Sequence, residues 1–235
     1  MNKEEFVKEV EKIGIELDQD KLDKLDHFYN LLISWNEKIN LTRITDINEV
    51  YLKHFYDSLT LIKAIDLNKN LSLCDVGTGA GFPGIVLKIV FPNLKITLID
   101  SLNKRINYLN EIIKKLNLSE IEAIHSRSED YARINYEKFD IVTARAVANL
   151  EVLSELCLPM VKENGYFIPM KANCDWEIQE SLDIIKKLGG SIEEVIKFNL
   201  PCENSERTLI KIKKISKTNH KYPRRFDKIK KAIEK

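Results

Sequence analysis

The chain has 235 residues, of which 44% are hydrophobic and 31% charged, with a net charge of +1. That is enough length and apolar content for one large domain, or one domain with a small extension. Its four cysteines (Cys74, Cys157, Cys174, Cys202) form no Cys-x-x-Cys pair, which argues against a zinc site or a disulfide framework and fits a cytoplasmic protein with reduced thiols.

The first residues are charged and no apolar run follows them, so no signal peptide is expected. The best apolar stretch, Ile85 to Phe91, is short and broken by Lys88, too little to span a membrane. Charge is unevenly spread. Residues 211–235 hold eleven Lys and Arg against Asp227 and Glu234, a net of +9, and the remainder carries −8. A basic tail on an acidic body suits a polyanionic partner; the plainer alternative is a solvated, partly disordered end.

Residues 1–65 read as a helical extension. Phe6, Val10 and Ile13 keep a helical spacing that stops at Gly14. Asp20 is placed to cap a longer helix with Leu22, Leu25, Phe28, Leu32, Trp35 and Ile39 on one face. A shorter apolar set follows at Val50, Leu52, Phe55, Leu59 and Ile62. From residue 66 to 216 the pattern alternates. Strands are expected at Leu71–Val76, Leu94–Ile99, Ile121–Ile124, Phe139–Thr143 and Tyr166–Met170. Helices are expected from Pro83, over Asn103–Leu116, over Leu150–Val161 and over Trp176–Leu188. Two final strands, Ile192–Leu200 and Arg207–Ile215, have no helix between them and pair as an antiparallel hairpin around Pro201–Glu206. The fold class is α/β: a Rossmann-like, mainly parallel seven-stranded sheet with a C-terminal hairpin, an N-terminal helical extension, and a basic tail over 217–235.

The chemistry centres on Asp75-Val76-Gly77-Thr78-Gly79-Ala80-Gly81, which follows the first strand and opens the first helix of the sheet region. Glycines there mark the crevice at the carboxyl ends of the strands. Gly79 to Gly84 also matches the dinucleotide pattern G-x-G-x-x-G. Three features favour a methyl donor instead. Asp75 would attract the ammonium and sulfonium of S-adenosylmethionine and repel a pyrophosphate. The chain ends in a hairpin where a dinucleotide fold continues as βαβ units. The glycines begin at Gly77, giving D-x-G-x-G-x-G. Asp100 ends the second strand and could accept ribose hydroxyls in either fold.

Absent motifs narrow the acceptor. No Asn-Pro-Pro-Tyr type sequence, suited to an exocyclic amine, follows the fourth strand, where Thr143-Ala144-Arg145-Ala146-Val147-Ala148 stands. Cys202 lies too late for covalent attack on a pyrimidine. A ribose 2′-hydroxyl calls for a Lys-Asp-Lys-Glu type cluster; Lys171 and Glu206 could supply two members, but the fourth strand ends in Arg145 without an acid, and Asp140 sits at its other end. An acceptor that needs no base remains, and guanine N7 is one.

These residues resemble the bacterial 16S ribosomal RNA guanine-N7 methyltransferases, the glucose-inhibited division protein B family. The resemblance covers nearly the whole chain, through Trp35–Thr42, His54–Leu59, Asp75–Gly84, Asp100-Ser101 with Lys104-Arg105, Ser126–Glu129, Thr143–Ala148, Glu206-Arg207 and Lys221-Tyr222-Pro223-Arg224-Arg225. It implies that Gly77 and Phe82 line the donor, with Asp75, Gly79, Gly81 and Asp100 around them. Ser128 and Glu129 would meet its adenine, Arg145 would close the site, and Arg127 and Arg207 would serve RNA binding or catalysis. The implied partner is 16S rRNA or the small ribosomal subunit, with no membrane, no metal, and a monomeric enzyme. One departure is Pro169-Met170-Lys171-Ala172, where the family has Ala and then Lys-Gly. A methyltransferase for another RNA position, or a ribosome assembly factor without catalysis, are the alternatives. Among other residues, His54 reads as a core or hinge histidine, Trp35 as core, Asn36 and Asn40 as caps or braces of the sheet edge, and Arg127 as an ion-pair partner of Glu129 or Asp130.

Overall fold

The computed structural model describes residues 1–203 and 205–233; Asn204 of the expected hairpin loop and Glu234 and Lys235 of the basic tail lie outside them. Helix α1 spans Lys3–Lys12 and closes at its start with a reciprocal pair, Asn2 accepting from the Glu5 amide and Glu5 from the Asn2 amide. Helix α2 runs over Gln19–Ile39. Its cap is Asp18, whose carboxylate accepts from the Lys21 amide at 2.8 Å; Asp20, the expected cap, lies inside the first turn and pairs with Lys24. At the other end Asn40 takes the left-handed conformation and Asn36 accepts from the Leu41 and Thr42 amides at 2.6 and 2.9 Å. The two asparagines therefore close the helix.

The third apolar set forms an irregular helical run: α3 (Ile47–Val50), a π-helical turn (Tyr51–Tyr56), α4 (Asp57–Leu59) and a 3₁₀ turn (Thr60–Lys63). Its apolar members and the first two helices share a core with the sheet. Phe6, Leu25, Phe28, Leu32, Phe55 and Leu59 are buried in the same cluster as Leu73, Ile96 and Leu98.

The sheet comprises β1 (Ser72–Val76), β2 (Lys95–Asp100), β3 (Ile121–His125), β4 (Phe139–Arg145), β5 (Val161–Lys171), β6 (Gly190–Asn199) and β7 (Glu206–Lys214), in the order β3-β2-β1-β4-β5-β7-β6. The first five are parallel, and β7 runs antiparallel to both β5 and β6. Between them lie α5 (Gly84–Val90), α6 (Asn103–Lys115), α7 (Ser128–Ile134), α8 (Leu150–Cys157) and α9 (Asp175–Lys187). Two boundaries differ from expectation. The helix before β5 stops at Cys157 and tightens over Leu158–Met160, because Pro159 has no amide to continue it. Strand β5 then starts at Val161, ahead of the expected Tyr166, and Gly165 in it lies close to β4: a Cβ there would come within 2.7 Å of the Asp140 carbonyl. Helix α7 was not expected. It is short, its first turn is polar, and Ile134 points into solvent, so it shows no apolar stripe.

The basic C-terminal segment is fastened to the body. The Lys214 ammonium is fully buried among the Leu158 and Leu188 carbonyls, at 2.8 and 3.1 Å, and the Thr218 hydroxyl; burial lowers its pKa to about 8. Arg224 grips the fully buried Glu155 carboxylate through Nε and Nη2 at 2.9 and 2.6 Å, and its amide adds a third bond at 2.7 Å. Helix α10 (Phe226–Ile233) follows, with Ile229 buried and Lys228, Lys230 and Lys231 exposed.

Gly189 ends α9 at φ +80°, and a Cβ there would meet the Ser216 carbonyl at 2.1 Å. Gly189→Ala is expected to lower unfolding free energy by ~1–3 kcal/mol through strain and clash, read as a reduced urea midpoint at unchanged m-value.

Candidate active site

The glycine loop sits between β1 and α5, at the point where the strand order reverses from β1 to β4. Its conformation is held from within. The Gly77 and Thr78 amides donate to the Ile99 carbonyl at 2.8 and 3.1 Å, and those of Gly81 and Phe82 to the Thr78 carbonyl at 2.9 and 3.1 Å. The Gly79 amide donates to Asp100 at 3.0 Å and the Gly84 amide to Asp75 at 2.9 Å. Gly77 has φ +69°, and a Cβ on it would meet the Val147 side chain at 2.6 Å. A phosphate-binding loop presents free amides to its ligand; here six are satisfied by the protein itself, and two carboxylates stand below and beside the loop. That arrangement suits a cation and a ribose, and does not suit a pyrophosphate.

Asp75 is fully buried. One oxygen accepts from the Thr78 hydroxyl at 2.7 Å and from Gly84, while Oδ1 has no partner among the described residues. Burial raises its pKa to about 6, against the hydrogen bonds and the Arg145 charge. Asp100 accepts from the Leu102 amide at 2.9 Å and from Arg105 at 3.1 Å as well as from Gly79. A buried carboxylate oxygen without a partner among the described residues, set under the loop, fits the cationic end of S-adenosylmethionine.

Beside the loop, at the carboxyl ends of β4 and β5, lies a cavity of about 480 Å³. Arg145 and Arg207, from the end of β4 and the start of β7, meet there on a third residue, Asp57. Arg145 Nη1 donates to Asp57 Oδ2 and Arg207 Nε to Asp57 Oδ1, each at 2.9 Å. Asp57 is 5% exposed. His54, one turn earlier, stacks on Phe82 with centroids 4.3 Å apart, and its Nδ1 lies 3.2 Å from Arg145 Nη2 and its Nε2 2.9 Å from the Thr42 hydroxyl. Burial and the Arg145 charge lower its pKa to about 3, so it is neutral at ordinary pH. The Arg145 guanidinium also lies over the Phe82 ring at 5.2 Å. Lys171 points to the Ala148 carbonyl at 2.9 Å and pairs with Glu177 at 2.8 Å, and Glu177 also accepts from the Leu150 amide at 2.6 Å.

The strand-end reading found no acid near Arg145; the structure supplies Asp57 and Glu177 from outside the strands. Both were missed. A signal existed in the buried polar pair His54 and Asp57 within an otherwise apolar helical run. His54 is buried as a core histidine is, yet it lines the cavity. The expected catalytic trio divides: Arg145 and Arg207 share Asp57, whereas Arg127 is exposed on the far side of the donor loop, 3.9 Å from Glu129. There, with Asp130, Arg225, Asp227 and Lys230, it lines a second hollow of about 570 Å³. Ser128 and Glu129 open α7 beside Arg127, Glu129 being 7% exposed. Trp35 packs edge-on against Tyr108, and Cys202 is an exposed loop thiol. Among the described residues, no cluster of three or more His, Cys, Asp or Glu could hold a metal, and no helix is long and apolar enough to cross a membrane.

The sheet order, the antiparallel end and the glycine loop at the switch point define a Rossmann-like, S-adenosylmethionine-dependent methyltransferase fold. Solved structures agree. A SAM-dependent methyltransferase from Aquifex aeolicus matches with a TM-score of 0.50 at 20% identity, over 77% of this chain and 97% of that one. TYW2 of M. jannaschii in complex with AdoMet matches with a TM-score of 0.51 at 16% identity, over 66% and 76%. Sequence narrows the class. The family model of GidB, rRNA small subunit methyltransferase G, matches residues 21–210. Proteins named ribosomal RNA small subunit methyltransferase G from Bacillus licheniformis and Staphylococcus carnosus are each 50% identical, over 96% of this chain and 95% of theirs. The Listeria monocytogenes protein of that name is 46% identical over 96% of both. The chain belongs to the rRNA small subunit methyltransferase G family.

The raised Asp75 pKa sets a pH dependence. The native carboxyl holds its proton to higher pH than an unfolded one, so its contribution to stability is fullest below the ordinary carboxylate range and is lost as pH rises through about 6. Donor binding is expected to run the other way, because an ionised carboxylate attracts a cation. Calorimetry is expected to show S-adenosylmethionine affinity falling several-fold as pH drops through about 6, and Asp75→Asn is expected to bind more weakly with a flat profile.

Proposed function

We propose that this chain transfers a methyl group from S-adenosylmethionine to N7 of a guanine in 16S ribosomal RNA. The observation that carries the reading is that each acid and the histidine lining the cavity is already engaged by donors of the protein, which makes each a poor proton acceptor. Both oxygens of Asp57 already accept from guanidiniums, Oε2 of Glu177 accepts from both Lys171 and an amide, and His54 is held well below its usual pKa. An amine or a ribose hydroxyl must lose a proton on methylation. Guanine N7 has none to lose.

The bound donor supplies an electrophilic methyl on a sulfonium. The chain supplies position, which is worth several orders of magnitude in such a displacement. The N7 and O6 edge of guanine consists of acceptors alone, while adenine carries an amino donor in place of O6. A cavity walled by Arg145 and Arg207 matches guanine and disfavours adenine. The loop 146–149, with Ala146 in the left-handed region at φ +54°, carries Val147 against Gly77 and so joins the base side to the donor side. Arg127 and the exposed lysines of α10 lie where RNA phosphates could be held, and such binding weakens with salt. An unpaired guanine is the preferred target, since single-stranded bases can be splayed out and read.

The test is in-vitro methylation of unmodified small-subunit RNA and subunits, followed by nuclease digestion and mass spectrometry. 7-Methylguanosine is expected. A new ribose methyl with guanine unchanged would point to the 2′-hydroxyl reading, and undetectable donor binding would point to an assembly factor without catalysis. Arg145→Ala is expected to lower kcat/KM by at least tenfold, while the melting temperature moves by only a few degrees. Equal loss of both would make Arg145 a structural residue.

A further inference from the structure

We infer that Asp57 is a positioning residue that holds Arg145 and Arg207 as one two-pronged donor face toward the RNA. The inference rests on methyl transfer to RNA and is indifferent to which RNA atom receives the methyl group.

Arg145 and Arg207 come from strands that are not neighbours, since β5 lies between β4 and β7. Left alone, two guanidiniums with side chains only 14% and 20% exposed would repel across a cavity of low dielectric. Asp57 gives one oxygen to each at 2.9 Å, cancelling one of the two charges and leaving a net positive face. The remaining contacts fix the rotation of each fork. Arg145 Nη1 also reaches the Lys53 carbonyl at 3.1 Å and Nη2 approaches His54, while Arg207 Nη1 donates to the Ser205 hydroxyl and the Glu206 carbonyl, both at 2.9 Å. Among the described residues, Arg145 Nε and Arg207 Nη2 have no protein acceptor, and both side chains line the cavity. These are the donors left for substrate.

Asp57 also sits where it does for a local reason. It directly follows the π-helical turn Tyr51–Tyr56. A π turn inserts an extra residue and swings the next side chains around the axis relative to an α-helix. Tyr51, Phe55 and Leu59 stay in the apolar core, whereas Lys53, His54 and Asp57 face the cavity. The run is anchored by Phe55, which packs on Phe28, Phe6 and Tyr51. Its attachment therefore does not depend on the Asp57 ion pairs, and a neutral side chain of the same shape should be accommodated.

The experiment compares wild type, Asp57→Asn, Asp57→Glu, Arg207→Gln and the double variant Asp57→Asn/Arg207→Gln in the full chain. Readouts are tritiated methyl transfer to unmodified small subunits, S-adenosylmethionine affinity by calorimetry, and melting temperature. For Asp57→Asn the expectation is a loss of at least tenfold in kcat/KM, with donor affinity within twofold of wild type and Asp57→Glu recovering part of the rate. In the Arg207→Gln background, Asp57→Asn is expected to cost less than threefold, because its route of action is already broken. Undiminished rate in Asp57→Asn, or losses that simply multiply in the double variant, would overturn the inference. A second readout needs no substrate: the Arg207 Nε–H resonance in ¹⁵N-labelled protein should be protected from exchange in wild type and lose that protection in Asp57→Asn. Unchanged protection would also overturn it. Because this signal is independent of RNA, a failure of the RNA reading and a failure of the Asp57 role are told apart.

Discussion

The rest of the structure depends on the packing of the Phe82 ring. It leaves the glycine loop and enters the cluster formed by the helices before the sheet, with Phe28 at 5.4 Å, Phe55 at 6.3 Å and His54 stacked on it at 4.3 Å. On its cavity side it carries the Arg145 guanidinium. One aromatic side chain thus fixes the donor loop, the irregular helical run and the strand-end arginine against one another. Such ring contacts contribute ~0.5–1.5 kcal/mol each beyond the area they bury, so the junction is firm without any single dominant bond. The donor loop needs this support from outside because its own amides are spent on holding its shape.

Most of the fold was legible because strands and helices alternate with clean punctuation. Gly189-Gly190 and the stretch around Pro201 mark the hairpin, and the run into Asp75 ends in glycines. What the pattern hid has identifiable causes. Helix α7 is seven residues long with a polar first turn and an exposed Ile134, so it has no period to detect. The π turn at Tyr51–Tyr56 is a departure from helical spacing inside a segment whose residues are nearly all buried, polar and apolar alike, and periodicity cannot register a twist where no exposed face marks the phase. The cap of α2 moved by two residues because Asp18 and Asp20 are equally suited by type, and only the chain path selects between them.

The site was legible where its residues sit at strand ends. Asp75, Asp100 and Arg145 follow from the rule that ligands of parallel sheets lie at the carboxyl edge. Arg207 stands beyond the hairpin loop, and only its match to the family motif singled it out. Asp57 escaped because its chemistry is supplied at a distance of 150 residues from one partner and 88 from the other, a pairing that no local pattern encodes. Asp75 changed in meaning. The sequence suggests a carboxylate that attracts the donor, whereas the structure shows it buried beneath the loop, bracing Thr78 and Gly84 with one oxygen and leaving the other without a partner among the described residues.

The pairing of Asp57 with Arg207 also orders events in time. Residue 57 is synthesised 150 residues before residue 207. Strand β7, which carries Arg207, lies between β5 and β6, so the hairpin must insert before the two ends of the cavity can meet. A nascent or truncated chain that has already folded its glycine loop around the donor position still lacks the far wall of the cavity. Closing the cavity is thus a matter of long-range sheet assembly, separate from the local folding of the glycine loop.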